Sequence, residues 1–153
     1  MLVFGIDPGS AKGAVAWVRG ADAGVEDLPL VDRSLDPHAL AEMLRARGPA
    51  DAVFVERVGA MPRQGVASTF AFGRAVGAIH ATAQLVGARL ELVTPGKWKG
   101  FQRLNSEKEK ARALAIRRFP DLSGDLSRKK DADRAEALLI ADYGQALLEG
   151  RTS

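Results

Sequence analysis

Residues Ala52 to Glu56 read Ala-Val-Phe-Val-Glu, an unbroken apolar run closed by an acid. A strand with one wet face alternates apolar and polar residues, whereas a run without alternation belongs to a strand covered on both faces. That restricts the chain to a layered arrangement with helices packed against a sheet. Leu2 to Asp7 is a similar short run, ending in an acid and then in the turn signal Pro8-Gly9. Gly13 to Arg19 is a second run with β-branched and aromatic residues, and Val25 to Leu30 is a third. The connections between these three are short, which predicts an antiparallel meander.

Helical segments alternate with the later strands. Asp36-Pro37 opens one, with an N-cap acid and proline at the first helical position, and Leu40, Met43 and Leu44 keep helical spacing until Gly48-Pro49. After a loop rich in Gly, Pro and Arg, a long helix is expected over about Val66 to Val86. Gly73, Gly77 and Ala81 recur along it at four-residue spacing and open one face to close approach, either by the sheet or by a second copy of the chain. Arg89 to Val93 reads as a strand, and Thr94-Pro95 starts a short helix holding Trp98. Ser106-Glu107-Lys108-Glu109 has the form of a capping box, opening a helix that Pro120 stops after Phe119. The last helix is expected from about Asp131 to Leu148, with Leu138, Leu139 and Leu147 facing inward. No internal repeat or linker interrupts this order, so residues 1–153 read as one α/β domain.

The chain is 46% hydrophobic and 27% charged, enough to bury an ordinary core, and it contains no run of eighteen apolar residues. Met1-Leu2-Val3-Phe4-Gly5 lacks the charged start of a signal peptide. Cysteine is absent, which excludes a disulfide scaffold and a thiolate metal site and suits a cytoplasmic location. The formal net charge of +3 says less than its placement: Lys97 to Arg134 holds twelve Lys or Arg against six Asp or Glu. Such a stretch is either a set of solvated helix faces or a surface that tracks phosphates.

The acids suggest chemistry. Asp7 and Glu56 each end an apolar strand, and in layered sheets the strand ends at one edge are where sites are built. Asp133 and Glu136 are three apart and share a helix face, with Asp131 close by. With no cysteine and only His38 and His80, an all-oxygen site suits Mg²⁺, with Mn²⁺ as a substitute, better than zinc. Two such ions about 3.5–4 Å apart clamp the attacking and leaving oxygens of a phosphodiester. Each acid also has a plainer role: Asp7 in a turn, Glu56 paired with Arg57 or a neighbour, and the helix-start acids against the macrodipole.

Phe4-Gly5-Ile6-Asp7-Pro8-Gly9-Ser10 resembles the opening strand and turn of RuvC-type Holliday-junction resolvases. Val53-Phe54-Val55-Glu56 is similar to that family's second acidic strand, Phe72-Gly73-Arg74-Ala75-Val76-Gly77 to its long helix, and Asp133-Arg134-Ala135-Glu136-Ala137-Leu138 to its C-terminal acidic helix. The resemblance runs in order along nearly the whole chain, and its most specific element is Gly-Ile-Asp-Pro-Gly. It implies an RNase H-like fold, a mixed sheet of antiparallel meander plus parallel strands flanked by helices. It also implies a homodimer that cuts two strands of like polarity symmetrically across a four-way DNA junction, using Mg²⁺.

Carried over by position, Asp7, Glu56, Asp133 and Glu136 would be the catalytic metal ligands, holding two ions per site, with Asp131 as the alternative to Asp133. Glu136 stands where the cellular enzymes usually have aspartate, a feature shared with shorter phage-type members. The expected location is the cytoplasm of a bacterial cell or a phage-infected host. Lys99 and Lys108 resemble the basic residues near the scissile phosphate, and Lys97, Lys110, Arg63, Lys129 and Lys130 complete the expected DNA contacts. Gly73, Gly77 and Ala81 fall on the helix of the family's dimer contact. The aromatic wedge that follows the second acid in the family is missing from Val58-Gly59-Ala60-Met61-Pro62, which leaves Met61 as its substitute. Three other readings remain. An actin-like or sugar-kinase-like ATPase opens similarly but needs a second domain. An RNase H-type nuclease on RNA–DNA hybrids would use the same acids, and a non-catalytic junction-binding module would keep the fold alone.

Overall fold

The computed structural model describes residues 1–152. Its centre is a five-stranded sheet built from β1 (Val3–Asp7), β2 (Ala14–Arg19), β3 (Asp22–Asp27), β6 (Ala52–Glu56) and β7 (Arg89–Val93), in the order β3-β2-β1-β6-β7. β1, β2 and β3 form the antiparallel meander, while β1, β6 and β7 run parallel. The helices are α1 (Pro37–Ala46), α2 (Val66–Leu85), α3 (Pro95–Phe101), α4 (Lys108–Arg118) and α5 (Ala132–Leu148). This is the mixed RNase H-like architecture. Among the described residues, no helix is long and apolar enough to cross a membrane.

The unbroken apolar strands are explained by two cores. Val3, Ala52 and Phe54 pack on one face with Trp98, Leu138 and Leu139, while Phe4, Ile6, Val53 and Val55 pack on the other with Leu40, Leu44 and Ile79. Side chains alternate along a strand, so the face that receives Val3 also receives Gly5 and Asp7, and the face that receives Phe54 also receives Glu56. That face is covered by α5. A β-carbon on Gly5 would lie 2.3 Å from the Ala137 carbonyl and 2.4 Å from the Ala141 nitrogen, and one on Gly144 would lie 2.5 Å from the Phe54 ring. Only glycine lets α5 lie directly on β1 and β6.

Local capping follows the sequence in part. Asp36 caps α1, accepting from the Ala39 amide at 3.1 Å. The capping box expected at Ser106 does not form: α4 starts at Lys108 with Glu107 as N-cap, and Asn105 takes the Glu107 amide at 2.9 Å. An Asx turn has outcompeted the serine. The third strand is displaced to Asp22–Asp27, because the turn at Gly20 starts it sooner, and it is followed by an unforeseen two-residue hairpin of β4 (Leu30–Val31) and β5 (Ser34–Leu35). Leu138 and Leu139 are buried as expected, but Leu147 is 41% exposed, since it lies on the outer face of α5 while Ala146 on one side is buried and Leu148 on the other packs on the core.

Candidate active site

Asp7 and Glu56 end neighbouring parallel strands on the face that α5 covers, and the first turns of α5 hang over the same edge. Asp7, Asp133 and Glu136 there each offer a carboxylate oxygen, all within 4.8 Å of one another. Asp7 and Glu136 are buried, while Asp133 and Glu56 are partly open. Glu56 stands beside this trio rather than inside it, held by the Trp98 indole, whose Nε1–H donates to Oε2 at 2.7 Å. Trp98 is fully buried, so the orientation of Glu56 is fixed by the core.

Crowded carboxylates in a dry site resist ionisation. Burial, then the charges of Glu136, Asp133 and Glu56, push the Asp7 carboxyl up to about 9. Burial also raises Glu56, against the lowering effect of the Trp98 hydrogen bond. Two ammonium groups offset part of the repulsion. Lys99 Nζ lies 3.4 Å from Glu136, and Lys108 Nζ lies 3.1 Å from Asp133 and 4.0 Å from Glu136. Burial works against the Lys108 charge, but the Asp133 hydrogen bond and the neighbouring carboxylates outweigh it and raise its pKa.

The two candidates for the third acidic place are separated by what they touch. Asp131 is buried and gripped by Arg128, whose Nη2 and Nε donate at 2.8 and 3.2 Å and whose backbone N–H donates at 2.9 Å. This fork holds the Asp131 carboxyl below its usual range. Arg134, next to Asp133 on α5, forks onto Asp27 at 2.8 and 3.1 Å and so ties α5 to β3. Asp131 and Arg134 are structural clamps in this arrangement, and Asp133 is the acid that joins Asp7 and Glu136.

The predicted basic residues fall into different places. Lys99 and Lys108 are inside the acidic cluster. Lys129 and Lys130 line a cleft of about 470 Å³ that also takes in Lys108 and Asp133, together with Lys12 and Arg128, which the sequence reading passed over. Lys110 turns away to Glu107 at 3.0 Å and faces a separate groove with Arg103 and Arg117. Lys97 is exposed on α3, and Arg63 and Met61 are exposed in the loop before α2. Gly73, Gly77 and Ala81 are exposed, and a β-carbon on either glycine would meet nothing within 4 Å, so this face is not the one packed on the sheet. It continues into Val66, Phe70 and Leu85, which are 89%, 69% and 81% exposed.

A donor set made only of carboxylates, with ammonium groups drawn into it, fits a hard divalent cation. The residues therefore fit a divalent metal ion of that class. Asp7, Asp133 and Glu136 could hold it, and Glu56 lies within electrostatic reach of Asp7.

The mixed sheet with helices on both faces has the RNase H-like architecture, with the acidic cluster at one sheet edge. No family model and no curated protein matches the sequence. Among solved structures, the chain is similar to T. thermophilus RuvC in complex with a Holliday-junction substrate, at 23% identity and a TM-score of 0.68, over 99% of this chain and 97% of that one. It is also similar to the fowlpox virus resolvase in complex with substrate Holliday-junction DNA, at 14% identity and 0.56 over the whole of both chains. A third likeness is to the yeast mitochondrial Holliday-junction resolvase Ydc2, at 14% and 0.57, over 97% of this chain and 81% of that one. The fold is thus that of RuvC-type resolvases.

Proposed function

We propose that this protein is a metal-dependent endodeoxyribonuclease that resolves four-way DNA junctions by paired, symmetric nicks. The observation that carries the proposal is the cluster of Asp7, Asp133 and Glu136, with Glu56, Lys99 and Lys108 around it, at the sheet edge of a resolvase fold. Asp7, Glu56, Asp133 and Glu136 would hold two Mg²⁺ ions, for which Mn²⁺ substitutes. The chemistry that such ions supply is activation of water and neutralisation of the leaving 3′ oxygen.

The chain's own groups do the rest. Trp98 keeps Glu56 from rotating out of the site, and the Arg128–Asp131 clamp fixes the start of α5, so the carboxylates are positioned before substrate arrives. Lys108 lines the cleft and Lys99 lies against Glu136 beside it, so their ammonium groups would orient the non-bridging oxygens of a phosphodiester brought to the acids. Lys12, Arg128, Lys129 and Lys130 extend the positive lining of that cleft.

The junction is favoured over plain duplex by the exposed face of α2. An apolar helix face running from Val66 through Phe70, Gly73, Gly77 and Ala81 to Leu85 suits a second copy of the chain. A two-fold dimer carries two acidic centres related by the same symmetry as two strands of like polarity in a junction. The test is cleavage of a labelled four-way junction with Mg²⁺ or with EDTA, beside linear duplex and an RNA–DNA hybrid. Metal-dependent cutting of the junction alone is expected. Cutting of the hybrid alone would move the activity to RNase H chemistry, and junction binding without cutting would leave a binding module.

A further inference from the structure

The acidic centre occupies one side of the turn that follows β1, and a second cleft lies on the other. This cleft, of about 490 Å³, is bounded by Ser10 and Ala11 of the turn, by the β4–β5 hairpin and by α2. Ala11 lines it and also lines the cleft that holds Asp133 and Lys108, so the two hollows meet across the turn. Arg33 from the hairpin and Arg74 from α2 both enter it, and Ala71, Ala75 and Ala78 leave its α2 wall low. Among the described residues neither arginine has a carboxylate partner. Arg74 lies over the Phe70 ring, with its guanidinium carbon 5.9 Å from the centroid.

The backbone at Arg33 adds an independent observation. Val31 pairs with Ser34, leaving Asp32 and Arg33 as a two-residue turn with φ of 48° and 64°. Such a turn needs left-handed backbone at both positions and favours glycine at the second. Arg63 and Arg103 also carry positive φ, so what distinguishes Arg33 is that its strained position puts an unpaired guanidinium into a cleft with a second one.

We infer that this cleft is a second phosphate-binding site, which takes a backbone phosphate of the DNA strand on the far side of the turn from the cut. Arg33 and Arg74 are its contacts. Two guanidinium forks converging on one hollow suit a phosphate's paired oxygens. Arg74 also borders the exposed face of α2, one residue from Gly73. In a dimer built on that face the cleft would lie toward the two-fold axis, where the strands of a junction exchange. The inference rests on the nuclease reading of the acidic cluster, and its test separates the two.

The affinity of the full-length protein for a four-way junction is measured in Ca²⁺ across 50–200 mM salt, a range over which phosphate contacts weaken steeply. Wild type is compared with Arg33→Gly, Arg74→Gln and the double variant. Each substitution is expected to weaken binding about tenfold, as for loss of a hydrogen-bonded charge, and to make the log–log salt slope shallower by about 0.9. Arg33→Gly should at the same time leave the melting temperature unchanged or raise it by about 2 °C, because glycine suits the turn. The stabilisation of each variant by Mg²⁺ should equal that of wild type. A purely structural Arg33 would instead lower melting temperature and binding together, which would overturn the inference. So would wild-type affinity and slope in the double variant, and if wild type still cuts the junction the nuclease reading survives that result. A wild-type protein that binds neither junction, duplex nor hybrid would sink both.

Discussion

Replacing Asp7 by Asn should stabilise the metal-free protein while abolishing its response to metal. The carboxyl is raised from 3.8 to about 9, first by burial and then by Glu136, Asp133 and Glu56. Below pH 3.8 the group is protonated in both states and contributes nothing. As pH rises through the window, the unfolded chain gives up a proton that the folded chain retains, so the folded state loses stability by up to about 1.4 kcal/mol per pH unit. The ceiling at pH 7 is about 4 kcal/mol, and local relaxation with entry of water around the charge should leave roughly half of it. Asn carries no charge to bury and keeps nearly the same shape. In EDTA at pH 7, melting of the variant is therefore expected about 4–8 °C above wild type, at roughly 2–4 °C per kcal/mol for a chain of this size. The gap should narrow toward pH 5. Saturating Mg²⁺, worth about 2.7 kcal/mol at a hundredfold excess over its dissociation constant, should raise the wild-type melting temperature and leave the variant's unchanged. A variant that melts below wild type in EDTA, or gains as much from Mg²⁺, would refute both the electrostatic account and the ligand assignment.

Three further outcomes follow from the packing. Gly5→Ala would drive a methyl group into the α5 backbone and should destabilise the fold by 3 kcal/mol or more, at about the level of severe overpacking, as read by denaturant melts. Trp98→Phe removes the donor that holds Glu56. It should cost about 1–3 kcal/mol and lower kcat at least tenfold with KM little changed, so an unaltered kcat would show that Glu56 needs no such restraint. Asp131→Asn should lower thermal stability by breaking the Arg128 fork yet leave the affinity for Mn²⁺ within a few-fold. Asp133→Asn should do the reverse, as titration calorimetry would show.

Much of this was legible in the sequence because the site is built on strands. An apolar run closed by an acid predicts a buried strand with a carboxylate at its end, and Asp7 and Glu56 are where that reading puts them. The i, i+3 spacing likewise placed Asp133 and Glu136 on one helix face. The choice between Asp131 and Asp133 was beyond it, since it turns on Arg128 reaching forward to Asp131 across a single 3-10 turn at Lys129–Asp131. The role of Gly5 was hidden for a similar reason: a glycine in a strand does not announce which helix lies over it. The β4–β5 hairpin was missed because Asp-Arg carries no turn signature, unlike Asn-Gly. The capping box at Ser106 failed because the Asx turn from Asn105 to the Glu107 amide moves the helix start on to Lys108. Long-range pairings such as Trp98 with Glu56 carry no local signal at all.

The most direct measurement of the central claim is the position of the cuts. A four-way junction, with each strand labelled in turn, is incubated with the protein and Mg²⁺, and the products are mapped to the nucleotide. A two-fold enzyme built on Asp7, Glu56, Asp133 and Glu136 should place one nick in each of two strands of like polarity, at symmetry-related positions, and none in EDTA or with Asp7→Asn. Nicks scattered over all four strands, or nicking that persists without the Asp7 carboxylate, would contradict it.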